Sequence, residues 1–432
     1  MKTAAFYTLG CKVNQYETEA MSELFQNAGY DICDFNNKAD IYVINTCSVT
    51  NMGDRKSRQI IRRAKKTNPN AIIAVTGCYA QTAADEVLAI EGVNLVIGTK
   101  DRKNIVSLVE NLEPEENINH VSDIMSNHEF EELHINRYSD RTRAFIKVQE
   151  GCNQFCSYCI IPYARGPVRS RPIGEVLAEV RELAANGFKE IILVGIHIAS
   201  YGIDLDDITL ADLIIAVDKI EGIERIRLSS IEPMTLNRDF IKNISSAKKL
   251  CHHFHISLQS GCDETLKRMN RKYTTEQFAE IVRGLRSSFS DAAITTDIMV
   301  GFPGETETEF NKTVDFVRNM AFADAHIFQY SPRRGTPAAK RGGQIAPEIK
   351  EMRSKIIIDE TKKTRDEFLK HFIGRTMRVL FEQPVNGGFF EGKTDNYITA
   401  YVKTSENLND EFRNVLIEKT LDGIAYGKII KK

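Results

Sequence analysis

The sequence lacks three features, and each absence removes a class of protein. No apolar run approaches the ~20 residues needed to span a bilayer, so no membrane helix is expected. The opening stretch, MKTAAFYTLGCKVNQYE, turns polar too early for a secretory leader and reads as a first strand entering a loop. A cytoplasmic protein with no membrane partner is therefore expected. In that reducing setting nine cysteines do not form a disulfide framework. Their uneven placement points instead to metal ligation or thiol chemistry for a subset. A large net charge is also missing, since 57 Lys and Arg against 59 Asp and Glu leave −2. That balance hides basic clusters, RKSRQIIRRAKK (Arg55–Lys66) and RGPVRSR (Arg165–Arg171), and acidic ones such as HEFEEL (His128–Leu133). Taken singly, each basic run reads as a solvated face. Together they permit a phosphate-rich partner.

At 432 residues the chain has room for about three domains. Over residues 1–112, apolar runs ending at Cys11, Cys47 and Cys78 alternate with amphipathic stretches, which predicts a parallel α/β sheet. Ligands gather at the carboxyl ends of such strands, where these three thiols converge. One buried Cys is a small hydrophobe; three in the same structural position read as ligands. Residues 113–140 are polar and acidic, as in a linker. Residues 141–372 repeat a strand–helix unit six times and end in a long helix, with Ile349, Met352, Ile356 and Ile357 on one side. Six units are too few to close an eight-stranded barrel, so a partial (β/α)6 barrel is expected, with its site at the strand carboxyl ends. From 373 to 432, short alternating runs predict a small OB-like β-barrel of the kind that holds single-stranded nucleic acid. The fold class expected is thus α/β and multidomain.

The stretch EGCNQFCSYCIIPYARG places Cys152, Cys156 and Cys159 in a CxxxCxxC loop at the rim of the first barrel strand. Structural zinc takes four closed ligands, and no matching second pair follows. His252, His253 and His255 are poor substitutes, because neighbours on a strand face opposite ways. An iron–sulfur cluster normally takes four Cys ligands; with three, one iron stays open to a ligand. Cys33, Cys251 and Cys262 fit neither trio and read as packing thiols.

The run CNQFCSYC, the six βα units and GFPGE (Gly301–Glu305) together resemble the radical S-adenosylmethionine superfamily. The resemblance implies that Cys152, Cys156 and Cys159 hold a 4Fe–4S cluster whose open iron binds S-adenosylmethionine, and that one electron then yields a 5′-deoxyadenosyl radical. The segments TLGCKVNQYETEAM, INTCSVTNMGDRKSRQ and VTGCYAQ are similar to the N-terminal domain of the methylthiotransferases, and the terminal barrel to their RNA-binding TRAM domain. This implies a second, auxiliary 4Fe–4S cluster on Cys11, Cys47 and Cys78. It also implies three partners: a tRNA anticodon stem-loop, a one-electron reductant such as flavodoxin or ferredoxin, and a sulfur donor. KVNQYETE, LSSIEP (Leu228–Pro233) and LQSGCDETLKRMNRKYT resemble the threonylcarbamoyl branch, so 2-methylthiolation of N6-threonylcarbamoyladenosine beside the anticodon is expected. The alternatives are isopentenyl-adenosine or a ribosomal protein as substrate and, in a different class, a zinc-stapled RNA-binding module.

Gly195 and Gly301, lacking a Cβ, are candidates for close approach to the cofactor. Glu232, Gln259 and Asp297 are candidates for its polar groups, and Tyr330 for stacking on adenine. For RNA, Arg62, Arg63, Arg165, Arg169 and Arg171 are candidate phosphate contacts. Tyr397, Tyr401 and Phe389 are candidate stacking surfaces, although their alternation assigns them to the barrel core.

Overall fold

The computed structural model describes residues 2–113, 116–135 and 142–430. In the first sheet, β1 (Thr3–Thr8), β2 (Asp31–Cys33), β3 (Ile41–Thr46), β4 (Ile72–Gly77), β5 (Leu95–Ile97) and β6 (Ile118–His120) lie in the order β2-β1-β3-β4-β5-β6. Every pairing is parallel. β3 is buried along its whole length, as a strand covered on both faces must be. The segment read as a linker differs from expectation. It supplies β6 and buries Ile124, Leu133 and Ile135, the last two within the core of the central unit. A few apolar residues spaced among charged ones sufficed, too sparse to register as a periodic pattern. The expected boundary at 140/141 lies outside the described residues.

The central unit contains β7 (Arg143–Glu150), the short β8 (Arg169–Ser170), β9 (Glu190–Gly195), β10 (Arg225–Leu228), β11 (His253–Gln259), β12 (Ala293–Val300) and β13 (Asp324–Gln329). β8 is antiparallel to β7. The other six run parallel in the order β7-β9-β10-β11-β12-β13, the seam between β10 and β11 being bridged at Ile226–Leu250 and Ile231–Ile256. This is the partial barrel. Its helices are started by capping boxes, Thr209 with Asp212, Thr274 with Gln277 and Thr306 with Glu309, each satisfying end N–H groups.

β14 (Thr376–Val385), β15 (Phe389–Thr394), β16 (Thr399–Lys403), β17 (Phe412–Leu421) and β18 (Ile424–Ile429) close into a five-stranded barrel, reached by the long helix Pro347–Lys370. Of the four apolar residues expected along that helix, Ile357 is buried, whereas Ile349, Met352 and Ile356 are exposed.

Two features bind the units together. Helix α1 (Lys12–Asn27) is sandwiched between them: Val13, Tyr16 and Ala20 enter the central core, while Met21 and Phe25 enter the core of the first sheet. The turn between β15 and β16 sits against the amino-terminal end of the half-barrel. There Arg225 donates to Lys393 O (2.9 Å) and Arg378 O (2.7 Å), and Arg227 to Asp395 O (3.1 Å). No helix among the described residues is long and apolar enough to cross a membrane.

Candidate active site

Parallel pairing turns sequence distance into proximity. Cys11, Cys47 and Cys78 follow β1, β3 and β4, which are neighbours in the sheet. The loops crowd so closely that two need glycine. Gly10 has φ +107°, and a Cβ there would stand 2.9 Å from Cys47 Cβ; at Gly77, φ +97°, it would stand 2.4 Å from Thr46 O. Burial pushes the Cys47 thiol up to about 12, and the nearby Cys78 and Cys11 sulfurs push in the same direction. Arg165 Nε donates to Cys78 Sγ at 3.2 Å and Nη2 to Asn14 Oδ1 at 2.6 Å. Asn14 in turn donates to Leu9 O and Thr46 O, tying the first two loops together.

Arg165 belongs to a wholly buried charge cluster. Arg102 meets Glu17 at 2.6 Å, Arg165 meets Glu150 at 2.7 Å, and Lys147 meets Glu150 at 3.0 Å, all with fully buried side chains. Burial opposes the charge on Glu17, yet Arg102 and Arg165 prevail and hold it down to about 2. This corrects the expectation for RNA: Arg165, Arg169 and Arg171 are all buried and do not face phosphates. Arg169 donates to Arg165 O, and Arg171 pairs with Glu179. Arg62 and Arg63 are exposed, on helix α2 (Asn51–Thr67).

The second trio occupies the loop between β7 and the short helix Ile161–Arg165. The loop is pinned by Cys152 N to Gly166 O (3.0 Å), Ser157 N to Met269 O (3.0 Å) and Asn270 Nδ2 to Phe155 O (2.9 Å). Burial lifts the Cys152 thiol to about 11 and that of Cys159 to about 12. Arg271 Nη1 donates to Cys156 Sγ at 3.5 Å, and its Nη2 lies 3.8 Å from Glu232, which places Glu232 beside this loop. Each trio therefore has one sulfur facing a buried guanidinium. Thiols held protonated by burial yield their protons when a cation centre binds, and the arginines offset the negative charge of a thiolate-ligated cluster.

Among the described residues, no three His, Cys, Asp or Glu side chains close around a single metal ion. Zinc requires ligands within about 2.0–2.3 Å of one centre. Each trio supplies three thiols, the donor set of an iron–sulfur cluster with one iron left open. Three buried polar atoms just beyond barrel strands lack partners among the described residues: His197 Nε2 after β9, Ser229 Oγ after β10 and Tyr330 Oη after β13. Buried polar atoms are normally satisfied, so these fit a polar ligand such as S-adenosylmethionine at the strand ends. His197, Ser229 and Arg271 escaped the sequence reading, which had no pattern to set them apart from other strand-end polar residues.

A cavity of about 860 Å³ runs from the strand end at Ser229 toward the amino-terminal end of the half-barrel at His253 and Ala293, within the range of ligand pockets. Its walls include Cys11 and Lys12 from the first unit, Gly195, Ser229 and Asp297 from the half-barrel, and Tyr397 from the small barrel. Asp297 pairs with His255 at 3.1 Å. Gln259 ends β11 in the left-handed region, φ +65°, after a bulge. Gly301 departs from expectation: it is buried, its N–H bonds Glu305 Oε2 (2.7 Å), and the Lys350 side chain fills the space a Cβ would take. At Gly195 that space is taken by Gln149. The Tyr330 ring packs edge-on against Phe302 at 5.5 Å in an apolar cluster that Tyr158 of the cysteine loop adjoins.

Tyr397 is likewise not a free stacking surface. It stacks on His253 at 4.7 Å with Arg227 over its ring at 4.6 Å. Phe389 and Tyr401 are not core either. They point outward with Tyr426, forming a half-buried trio 5.7–6.2 Å apart, while Phe390, Ala400 and Ala425 fill the interior.

Comparison with known proteins agrees with this architecture. Residues 146–317 match the Radical SAM superfamily, residues 3–98 the Uncharacterized protein family UPF0004 and residues 370–430 the TRAM domain. The solved radical S-adenosylmethionine methyltransferase TsrM of Kitasatospora setae aligns with a TM-score of 0.59 over 78% of this chain and 77% of that one. At 15% identity, this is a likeness of fold. Half-barrel and family match together make the chain a radical S-adenosylmethionine enzyme, using that cofactor and a 4Fe–4S cluster.

Full-length relatives narrow the class. The chain is 44% identical, over 97% of its length and 94% of the relative's, to the threonylcarbamoyladenosine tRNA methylthiotransferase MtaB of Bacillus subtilis (strain 168). It is 41% identical to the MtaB of Aquifex aeolicus over 87% and 92% of the two chains. It is also 35% identical, over 96% and 93%, to a tRNA-2-methylthio-N(6)-dimethylallyladenosine synthase of Clostridium tetani. The chain belongs to the radical S-adenosylmethionine methylthiotransferase family.

Proposed function

We propose that the protein 2-methylthiolates N6-threonylcarbamoyladenosine immediately 3′ to the anticodon of tRNA, in the cytoplasm. The observation that carries this reading is one cavity lined by Cys11 of the first trio, beside the strand ends that follow the second, in a chain 44% identical to a relative named for that reaction. Cys152, Cys156 and Cys159 hold one 4Fe–4S cluster and Cys11, Cys47 and Cys78 another. When bound, the first supplies the electron that cleaves S-adenosylmethionine and the second an iron that takes up sulfur. The chain's residues do the rest. His197, Ser229 and Tyr330 offer polar partners to the nucleoside cofactor, with Glu232 and Asp297 nearby. Arg165 and Arg271 hold the two thiol loops in place. A one-electron reductant such as flavodoxin or ferredoxin and a sulfur donor complete the partners.

Anaerobically reconstituted protein is expected to carry roughly eight irons, about four per cluster. Replacing Cys152, Cys156 and Cys159 with Ala abolishes S-adenosylmethionine cleavage. Replacing Cys11, Cys47 and Cys78 removes about half the iron and stops methylthiolation while cleavage persists. Nucleoside mass spectrometry of tRNA from cells lacking the gene is expected to show loss of the 2-methylthio-threonylcarbamoyl product. An intact peak, with a methylthio-isopentenyl product missing instead, overturns the substrate.

A further inference from the structure

We propose that Lys12 binds the carboxylate of the N6 substituent on the substrate adenosine, and so selects a threonylcarbamoyl group over a hydrocarbon one. This rests on the substrate reading above. The two candidate substituents differ most in charge: threonylcarbamoyl carries a free carboxylate, whereas isopentenyl carries only carbon and hydrogen. A cation that faces the cavity and is paired with no carboxylate of the chain favours the first.

Lys12 meets that description. It is the first residue of α1, half-buried, and lines the cavity directly after Cys11. Tyr397, Arg227, Arg143 and Cys11 act on it electrostatically. Of the other cavity-lining charges, Asp324 pairs with Arg365 at 3.9 Å, and Asp297 lies 3.1 Å from the His255 ring. The two arginines near Lys12 are matched as well, Arg227 to Glu190 at 2.8 Å and Arg143 to Glu382 at 3.1 Å. Of the two described lysine and arginine side chains lining the cavity, Lys12 and Arg365, only Lys12 thus has no carboxylate in ion-pair range. A desolvated cation left unpaired is costly, and a ligand carboxylate removes that cost.

The chemistry of the base sets the distance. Methylthiolation requires adenine C2 to face sulfur at the cluster held by Cys11, Cys47 and Cys78. C2 and the N6-bearing carbon flank the same ring nitrogen, N1, so a substituent on N6 lies along the edge that faces this cluster. A carboxylate on that substituent would then lie on the Cys11 side of the cavity, which Lys12 also lines.

The test uses reconstituted holoenzyme and three synthetic anticodon stem-loops, carrying threonylcarbamoyladenosine, its methyl ester or isopentenyl-adenosine. Losing a charge-assisted hydrogen bond weakens binding by about tenfold or more. For wild type, the ester is expected to bind that much more weakly, with KM raised more than kcat lowered. Lys12→Gln, checked for wild-type iron and sulfide content, is expected to bind acid and ester alike, and Lys12→Arg to restore the preference. Equal binding of acid and ester by wild type overturns the inference, and that arm does not depend on any variant folding. Undiminished preference for the acid in Lys12→Gln overturns it too. Wild type that methylthiolates only the isopentenyl loop overturns the substrate reading itself.

Discussion

Arg165 shows how far a side chain's role can lie from its residue type. In the sequence it sits in RGPVRSR, a basic run adjoining the cysteine loop, and the run's charge suggested phosphate. In the fold it is fully buried between Glu17 of α1 and Glu150 of β7, with a third contact to Cys78 Sγ. Neither glutamate belongs to a local pattern that would reveal a buried partner, since Glu17 lies 148 positions away in sequence. The cysteines were legible because their spacing is itself the chemistry. The arginines were not, because their partners come together only once the first sheet docks on the half-barrel. Burial works against the guanidinium, but Cys78, Glu17 and Glu150 hold its pKa well above the ordinary value. Arg165→Met would leave two buried carboxylates short of a counter-charge, a loss of about 3–5 kcal/mol. Denaturant titration checks this: a comparable drop in unfolding free energy is expected for Arg165→Met and a smaller one for Arg165→Lys. A drop below ~1 kcal/mol would show that Arg102 and Lys147 suffice.

At the scale of elements, the α/β repeat and the six-strand count were readable because periods of 3.6 and 2 report directly on buried faces. Parity within the last barrel was not. Alternation puts every second residue of a strand on one face but does not say which face is inside, and a slip of one residue reverses the answer. The packing of Phe390, Ala400, Val402 and Ala425 decides it. The outward trio is then an aromatic surface on an OB-like barrel, a setting in which base stacking contributes roughly 1–3 kcal/mol per base. Tyr401→Ala and Tyr426→Ala are expected each to weaken binding of the tRNA stem-loop to that extent, measured by fluorescence anisotropy. Helix α2 supplies the other expected contact. Its buried stripe of Ile60, Ile61 and Ala64 turns Arg62 and Arg63 to solvent. Replacing both with Ala should reduce the slope of log affinity against log salt by about 2. An unchanged slope would place the RNA on another face.

At the scale of the whole molecule, the β15–β16 turn carries Tyr397 to the amino-terminal end of the half-barrel, where it meets His253 in a buried, crowded site. Sequence gave no reason to join these residues, because their stacking depends on how the small barrel docks. His253 Nε2 bonds Thr295 Oγ1 at 2.9 Å, while Nδ1 is buried without a partner among the described residues. Burial and then Arg227, His255, Lys12 and His326 disfavour a second proton, so its pKa lies well below the usual imidazole value. His197 is lowered in the same way, to about 4, by burial and Arg271. In the unfolded chain both titrate near 6.5. Below that pH the unfolded state takes up protons that the folded state refuses, so stability present above 6.5 is lost as pH falls, at up to about 1.4 kcal/mol per pH unit per histidine. The glutamates respond in both directions, because Glu17 is held low while burial raises Glu232 and Glu305. Comparing wild type with His253→Gln cancels those contributions. Between pH 6.5 and 4 the wild type is expected to lose unfolding free energy faster than the variant, with the two slopes converging above 7. Parallel slopes across that window would mean that His253 accepts its proton without undocking the small barrel, and that the contact between the two barrels is looser than its stacking implies.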